Sequence, residues 1–167
     1  DGPARPGRVK TLYYNEEVCR ASRESHTFQT IHQMGLECMG EVDEAAQAEV
    51  LRLALASLAA LDVPTVLEVS HMGFVTGLLD VLDVPATAHA RLVELLCAKN
   101  EHELRKAALQ AGADEAGADA LCGLLTLHGP FGATLTAAKA AAISPSQKAA
   151  LAELLALQNA LGEPAAA

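Results

Sequence analysis

Residues 12–40 read LYYNEEVCRASRESHTFQTIHQMGLECMG, and this stretch decides the fold of the chain. Short runs of β-branched and aromatic residues predict strands over Val9–Tyr14 and Glu17–Ala21, with a turn at Asn15–Glu16 between them. A further strand is predicted over Thr30–Met39, in which each face of the extended chain carries both apolar and polar residues. We therefore expect the first part of the chain to be rich in strands.

Alternation along the last of these strands sorts its side chains between two faces. Gln33 and Glu37 fall on the same face, which predicts that they lie side by side, whereas His32 falls on the opposite face and has no predicted catalytic role. Buried polar groups need partners in the protein, in water or in a ligand. Glu37 offers a carboxylate to an amine, Gln33 offers a donor and an acceptor, and Arg20 can bind a carboxylate or phosphate.

After residue 42 the spacing of apolar residues changes to that of a helix. Asp43 is a predicted N-cap, and the helix is expected to end near Asp62, before Pro64. A strand over Thr65–Ser70 and a short helix over Phe74–Leu82 are predicted next. The remaining segments have helical spacing and are bounded by glycine or proline: Ala86–Ala98, Glu101–Gln110, Ala116–Leu127, Phe131–Ala142 and Pro145–Leu161.

Composition excludes several classes of function. The chain has 167 residues, 51% of them hydrophobic, and a net charge of -9, which disfavours a phosphate-binding nucleic-acid surface. Charged residues interrupt every apolar stretch before it reaches the roughly 20 residues of a membrane span. No zinc or disulfide pattern is expected, and four scattered cysteines are interpreted as small buried apolar residues in a reducing compartment, the cytoplasm: Cys19, Cys38, Cys97 and Cys122.

Motifs of common enzymes are absent from the sequence. It contains no GxSxG, GxGxxG or P-loop string, and no histidines stand at the spacing of metal ligands. We therefore predict no catalytic residue, no metal and no cofactor in this chain.

The order of Arg20 followed by the string HQMGLE resembles the second signature motif of class II histidyl-tRNA synthetases. In that family an arginine on one strand precedes a returning strand that reads His-Gln-x-Gly-x-Glu. The likeness continues through residues 40–82 and into the leucine-rich segments that follow. It implies an α+β fold with a partial class II synthetase-like antiparallel sheet over residues 1–84, a helical insert over 85–162 and a tail over 163–167.

Departures from the synthetase pattern make the chain more similar to a paralogue, the regulatory subunit of short-form ATP phosphoribosyltransferase. Synthetases carry an Arg-Pro-Gln-x-Gly-Arg-like loop after the first arginine, whereas this chain reads SRESHTFQT. Thr27 stands six positions before Gln33, where the synthetases place a second arginine. Loss of a cation that stabilises phosphate charge would weaken adenylate formation.

By this resemblance, Gln33, Glu37 and Arg20 are the predicted histidine-binding residues, although Arg20 could instead be structural, paired with Glu17 or Glu24. The implied partners are the ATP phosphoribosyltransferase catalytic subunit, histidine as an effector, and a second copy in a homodimer within a hetero-oligomer. No nucleic acid or membrane partner is expected. Two alternatives stay open: a histidyl-tRNA synthetase with an unusual motif loop, and a helical interaction domain without a ligand.

Overall fold

The structure, a computed structural model, describes residues 9–21 and 27–162. Within these residues it is α+β, with a two-stranded antiparallel sheet and seven α-helices, as the sequence predicts. The chain forms two compact units, residues 1–67 and residues 68–167. The predicted tail at 163–167 lies outside the described residues.

The sheet of the first unit is a long antiparallel hairpin. Strand β1 (Lys10–Ala21) pairs with β2 (Phe28–Met39) along its whole length. The predicted turn at Asn15–Glu16 is wrong, because Asn15 pairs with Met34 and Glu16 with Gln33 in an uninterrupted ladder. Continuous pairing satisfies the backbone hydrogen-bonding groups that a turn would leave without partners. The two predicted short strands are therefore one.

One helix, α1 (Glu44–Ala59), completes the regular structure of this unit. Its N-cap is Asp43, as predicted, and the Asp43 carboxylate accepts a hydrogen bond from the Ala46 amide at 2.9 Å. The helix ends three residues before the predicted position, and Asp62 has a left-handed backbone with φ 52°. Among the residues of this unit that the structure describes, only Ala46 and Ala48 are buried apolar side chains.

The strand predicted over Thr65–Ser70 is absent from the structure. Its residues have high strand propensity, yet a strand forms only where a neighbour accepts its backbone hydrogen bonds. Within the described part of the chain β1 and β2 pair with each other, and neither pairs with this segment. Propensity without a pairing partner therefore leaves the segment irregular.

In the second unit, all regular secondary structure among the described residues is helical. Two predicted helices have the observed bounds, Glu101–Gln110 and Pro145–Leu161, because strong caps mark their starts at Asn100 and Ser144. The helix predicted over Phe74–Leu82 instead covers Met72–Leu79. The last residues of the helix predicted over Ala116–Leu127 form a 3-10 turn at Leu124–Thr126. The six helices are α2 (Met72–Leu79), α3 (Ala86–Cys97), α4 (Glu101–Gln110), α5 (Glu115–Gly123), α6 (Phe131–Ala141) and α7 (Pro145–Leu161).

Helix α2 contributes to both apolar clusters of this unit. Leu78 and Leu79 belong to the larger cluster, with side chains of α3, α4 and α5, whereas Phe74 packs with side chains of α6 and α7. The compact unit therefore includes α2, which precedes the family-based boundary at Pro85. That boundary, between a class II core over residues 1–84 and an insert over 85–162, stays a prediction.

Polar contacts link two helices and cap a third. Arg105 of α4 forms ion pairs with Asp119 and Glu115 of α5. These contacts, of which the one with Asp119 is the largest cause, raise the pKa of the Arg105 guanidinium. His71 caps α2 by accepting from the Gly73 amide through Nδ1 at 3.0 Å, which satisfies one of the amides that the start of a helix leaves without a partner.

The cysteines differ from the prediction that all four are buried. Cys122 is buried, Cys38 is half-buried, and Cys19 and Cys97 are exposed; all are free thiols. Burial is the main cause of the raised pKa of the Cys122 thiol, and the Glu101 carboxylate adds to it. Cys19 is an exposed residue of β1. The apolar character of a side chain alone therefore does not bury it.

The described residues 9–21 and 27–162 contain no group of three or more His, Cys, Asp or Glu side chains that could hold a metal ion. No helix among them combines the length and the apolar character of a membrane span.

Candidate ligand site on the hairpin

The three residues predicted to bind a ligand lie on one face of the hairpin. Glu37 of β2 pairs with Leu12, Gln33 pairs with Glu16, and Arg20 pairs with Gln29, so all of these side chains project to the same side. We call this side the polar face. It is formed by the even-numbered residues of β1 and the odd-numbered residues of β2.

Gln33 is at the centre of a side-chain network on the polar face. The guanidinium Nη2 of Arg20 donates to Gln33 Oε1 at 2.9 Å, and Gln33 Nε2 donates to the hydroxyl oxygen of Tyr14 at 2.6 Å. Gln33 is half-buried, whereas Arg20 is exposed. The amide of Gln33 is therefore oriented at both of its ends.

Arg20 does not pair with Glu17, one of the two structural partners considered from the sequence. Glu17 pairs with His32 and lies on the opposite face of the hairpin, out of reach of a side chain that bonds Gln33. Glu24, the other partner considered, lies outside the described residues. Strand alternation thus directs Arg20 towards Gln33 rather than Glu17.

Gln33 and Glu37 share the polar face but are not side by side. Gly35 lies between them, and the ring of Tyr14 covers it so closely that a Cβ built there would stand 2.4 Å from Tyr14 Cζ. At about 3.4 Å per residue in an antiparallel strand, Gln33 and Glu37 are separated by roughly 14 Å along β2. Same-face alternation was therefore predicted, but the intervening aromatic ring was not.

The charges of the polar face are distributed along its length. Arg20 provides a cation near Gln33, and Glu16 provides a carboxylate opposite Gln33. Lys10 and Glu37 provide a second cation and a second carboxylate towards the other end of the face. Within residues 9–21 and 27–162, the side-chain carboxylate of Glu37 has no hydrogen bond or ion pair. Its carboxylate is therefore available to a cationic ligand group, and the guanidinium of Arg20 keeps further N–H donors for an anionic one.

The opposite face carries a separate set of contacts. His32 Nε2 lies 2.7 Å from Asn15 Oδ1, which confirms that His32 points away from Gln33. Tyr13, Phe28 and Met34 of this face are strongly exposed. His32 is thus part of the sheet surface opposite the candidate site.

Tyr14 is the residue of this site that the sequence did not reveal. Its hydroxyl binds Gln33 although the two residues are 19 positions apart in the chain. A glycine within a strand often marks a close approach by another group, so Gly35 in HQMGLE is the sequence signal that could have indicated such a residue. The identity of that group depends on the strand register.

The chain combines a hairpin of two twelve-residue antiparallel strands, a following helix and a helical unit, an arrangement consistent with a class II aminoacyl-tRNA synthetase-like fold. The model of the histidyl-tRNA synthetase family matches residues 4–166, and the chain belongs to that family. A solved structure from Bacillus halodurans, described as an ATP phosphoribosyltransferase regulatory subunit/histidyl-tRNA synthetase, superposes with a TM-score of 0.80 at 26% identity, over 95% of this chain and 40% of that one.

The chain is also similar to proteins named ATP phosphoribosyltransferase regulatory subunit. The protein of Symbiobacterium thermophilum is 33% identical over 60% of this chain and 26% of its own length. The protein of Thermus thermophilus is 32% identical over 79% of this chain and 36% of its own length. The resemblance predicted from the sequence is confirmed, and the chain spans about a quarter to two fifths of these relatives.

Proposed function

We propose that the protein is a non-catalytic regulatory subunit of ATP phosphoribosyltransferase in histidine biosynthesis. It activates the catalytic subunit and senses histidine, the end product of that pathway. The observation that carries this proposal is the network of Arg20, Gln33 and Tyr14 beside the available carboxylate of Glu37. It retains groups suited to an amino acid, while the sequence lacks the second motif arginine of a synthetase. The names of the relatives support the same function.

Histidine complements the polar face in both charge and hydrogen bonding. Its ammonium is a donor for which the second lone pair of Gln33 Oε1 is an acceptor, and its ring N–H is a donor for which the more distant Glu37 is an acceptor. Its carboxylate is an acceptor, for which the remaining N–H groups of Arg20 are donors. Because the strong contacts come from opposite charges, a zwitterionic amino acid fits this face better than a neutral ligand does.

The expected loss of catalysis follows from charge. Adenylate formation requires cations or oriented donors where phosphate charge develops, and the loss of a single such donor costs about 10²–10³ in rate. Thr27 stands where the synthetases have an arginine, and a hydroxyl group carries no positive charge. Arg20, the motif arginine that remains, donates to Gln33.

Regulation then requires histidine to bind one assembly state better than another, since only a difference in affinity shifts an equilibrium. A coupling of about 1–3 kcal/mol is typical of such linked sites. In the proposed arrangement a homodimer of this protein joins catalytic subunits in a hetero-oligomer in the cytoplasm. Neither nucleic acid nor membrane takes part.

Reconstitution of the full-length protein with the catalytic subunit tests this function. We expect phosphoribosyl transfer to ATP to rise when the protein is added, and histidine to reverse that rise. The control for a direct effect of histidine is the catalytic subunit assayed alone, without this protein. Equal rates with and without the protein, measured after both are shown to be folded, would contradict the proposal.

A histidyl-tRNA synthetase is the second candidate, and the description of the matching family model favours it. It requires tRNA binding, which phosphate contacts from Lys and Arg dominate. The net charge of -9 makes such a surface less favourable in this chain. The regulatory function has no such requirement and is therefore preferred.

A further inference from the structure

We propose that Tyr14 is a positioning residue of the histidine site, which holds the side-chain amide of Gln33 in the one orientation suited to the ligand. This inference rests on the proposed function, because it assigns a task to Tyr14 within the same site. It also explains why a glycine occupies position 35. Two observations carry it: the close approach of the Tyr14 ring to Gly35, its partner in the strand register, and the two hydrogen bonds of Gln33.

The first observation is steric. Tyr14 and Gly35 are directly paired across the hairpin, and a Cβ at position 35 would stand 2.7 Å from Tyr14 Cε1, well inside ordinary contact. The ring can therefore lie over the backbone of β2 only because position 35 has no side chain. In that position its hydroxyl reaches Gln33, two residues along the strand.

The second observation is the direction of each hydrogen bond. Arginine has only donors, so the group of Gln33 that faces Arg20 must be its carbonyl oxygen Oε1. The amide nitrogen then faces Tyr14, whose hydroxyl oxygen accepts. A half-turn of the Gln33 amide would place its nitrogen against the guanidinium and break the bond to Arg20, whereas the hydroxyl of Tyr14 could then donate to Oε1. Arg20 therefore sets the orientation of the amide, and the bond to Tyr14 restrains the amide in that orientation.

The consequence concerns ligand affinity. With one bond at each end, Gln33 keeps one lone pair on Oε1 and one N–H on Nε2, and both point in fixed directions. A side chain that is ordered before binding loses less conformational entropy when the ligand arrives. Tyr14 should therefore increase affinity for histidine through Gln33.

The test uses Tyr14→Phe in the full-length protein assembled with its catalytic subunit. The ring that covers Gly35 is kept and only the hydroxyl is lost. We expect the dissociation constant for histidine, measured by calorimetry, to rise about three- to tenfold, in line with the loss of one hydrogen bond and of ordering. The midpoint of thermal unfolding should change little, because the ring contact with Gly35 is retained. A merely structural tyrosine would alter the midpoint and leave the affinity unchanged.

Tyr13→Phe is the matched control, because Tyr13 is the preceding residue, lies on the opposite face and is 86% exposed. It should bind histidine as the unaltered protein does. In a Gln33→Ala background, Tyr14→Phe should have no further effect, since its partner is gone. Full and independent losses from the two substitutions would overturn the role of Tyr14.

The results also separate this inference from the function on which it rests. If the unaltered protein binds histidine and Tyr14→Phe binds it equally well, the positioning role is wrong and the regulatory function stands. If the folded, unaltered protein binds no histidine, the proposed histidine-sensing function is wrong and the role of Tyr14 falls with it. Gly35→Ala gives an independent measurement, because the added methyl group should displace the Tyr14 ring and weaken binding at least as much.

Discussion

Replacing Glu37 by glutamine in the full-length protein should raise the histidine concentration for half-maximal inhibition of the assembled enzyme about ten- to hundredfold. The substitution keeps the shape of the side chain and removes its charge. Hydrogen bonds to charged groups contribute about 1.5–3 kcal/mol, and each 1.4 kcal/mol corresponds to a factor of ten in affinity. The side-chain carboxylate of Glu37 has no hydrogen-bond or ion-pair partner among the described residues, so the substitution should cost the folded state little stability.

Glu17→Gln is the control for this change of charge. Glu17 is an exposed glutamate of the same hairpin, and its pairing with His32 places it on the opposite face. It should leave inhibition by histidine unaltered and change the net charge by the same amount. Equal inhibition curves for Glu37→Gln and the unaltered protein would remove Glu37 from the site.

Replacing Leu104 by alanine should destabilise the helical unit by about 2–5 kcal/mol, the usual range for a buried leucine. Leu104 of α4 is 0% exposed and belongs to the larger apolar cluster of this unit. Its loss leaves a cavity that close-packed neighbours fill only in part. The change should appear in the full-length protein as faster hydrogen exchange of the α4 and α5 amides, which reports the free energy of local opening.

Leu109→Ala on the same helix is the matched comparison. Leu109 is 36% exposed, so its truncation removes less buried apolar contact and should cost well under half as much. Both substitutions have the same effect on helix propensity. Equal exchange rates in the two variants would contradict the assignment of Leu104 to the apolar cluster.

The helices were predicted well because their signals are local. Asp43 and Ser144 are side-chain caps, and each is followed by residues with a strong preference for helix. The observed starts of α1 and α7 follow from those signals. A cap acts within three or four residues, so no knowledge of the tertiary fold is needed to recognise it.

The strands were predicted less well because pairing is not local. Thr65–Ser70 has strand propensity but no partner in the described part of the chain, and the Asn15–Glu16 step has the composition of a turn but lies within a ladder. Both errors arise because the prediction used residue propensity, whereas pairing with a second strand determines whether a segment becomes a strand. The division of the molecule near Leu67 also depends on packing that no local pattern encodes.

The candidate site was predicted in part for the same reason. Alternation and the HQMGLE string place Gln33 and Glu37 on one face, as the hairpin has them. The contact of Arg20 with Gln33 and the position of Tyr14 over Gly35 depend on the register of two strands. A shift of one residue would reverse every side chain of β1, so only the structure could identify these partners.

The central claim is that this protein has kept groups that bind histidine and has lost the charge needed to activate it. Histidine-dependent exchange of pyrophosphate into ATP, measured on the folded full-length protein, tests that claim most directly. The account predicts no exchange above the background without histidine, in a preparation that binds histidine by calorimetry. Robust exchange that requires histidine would contradict it and would identify the protein as an active synthetase.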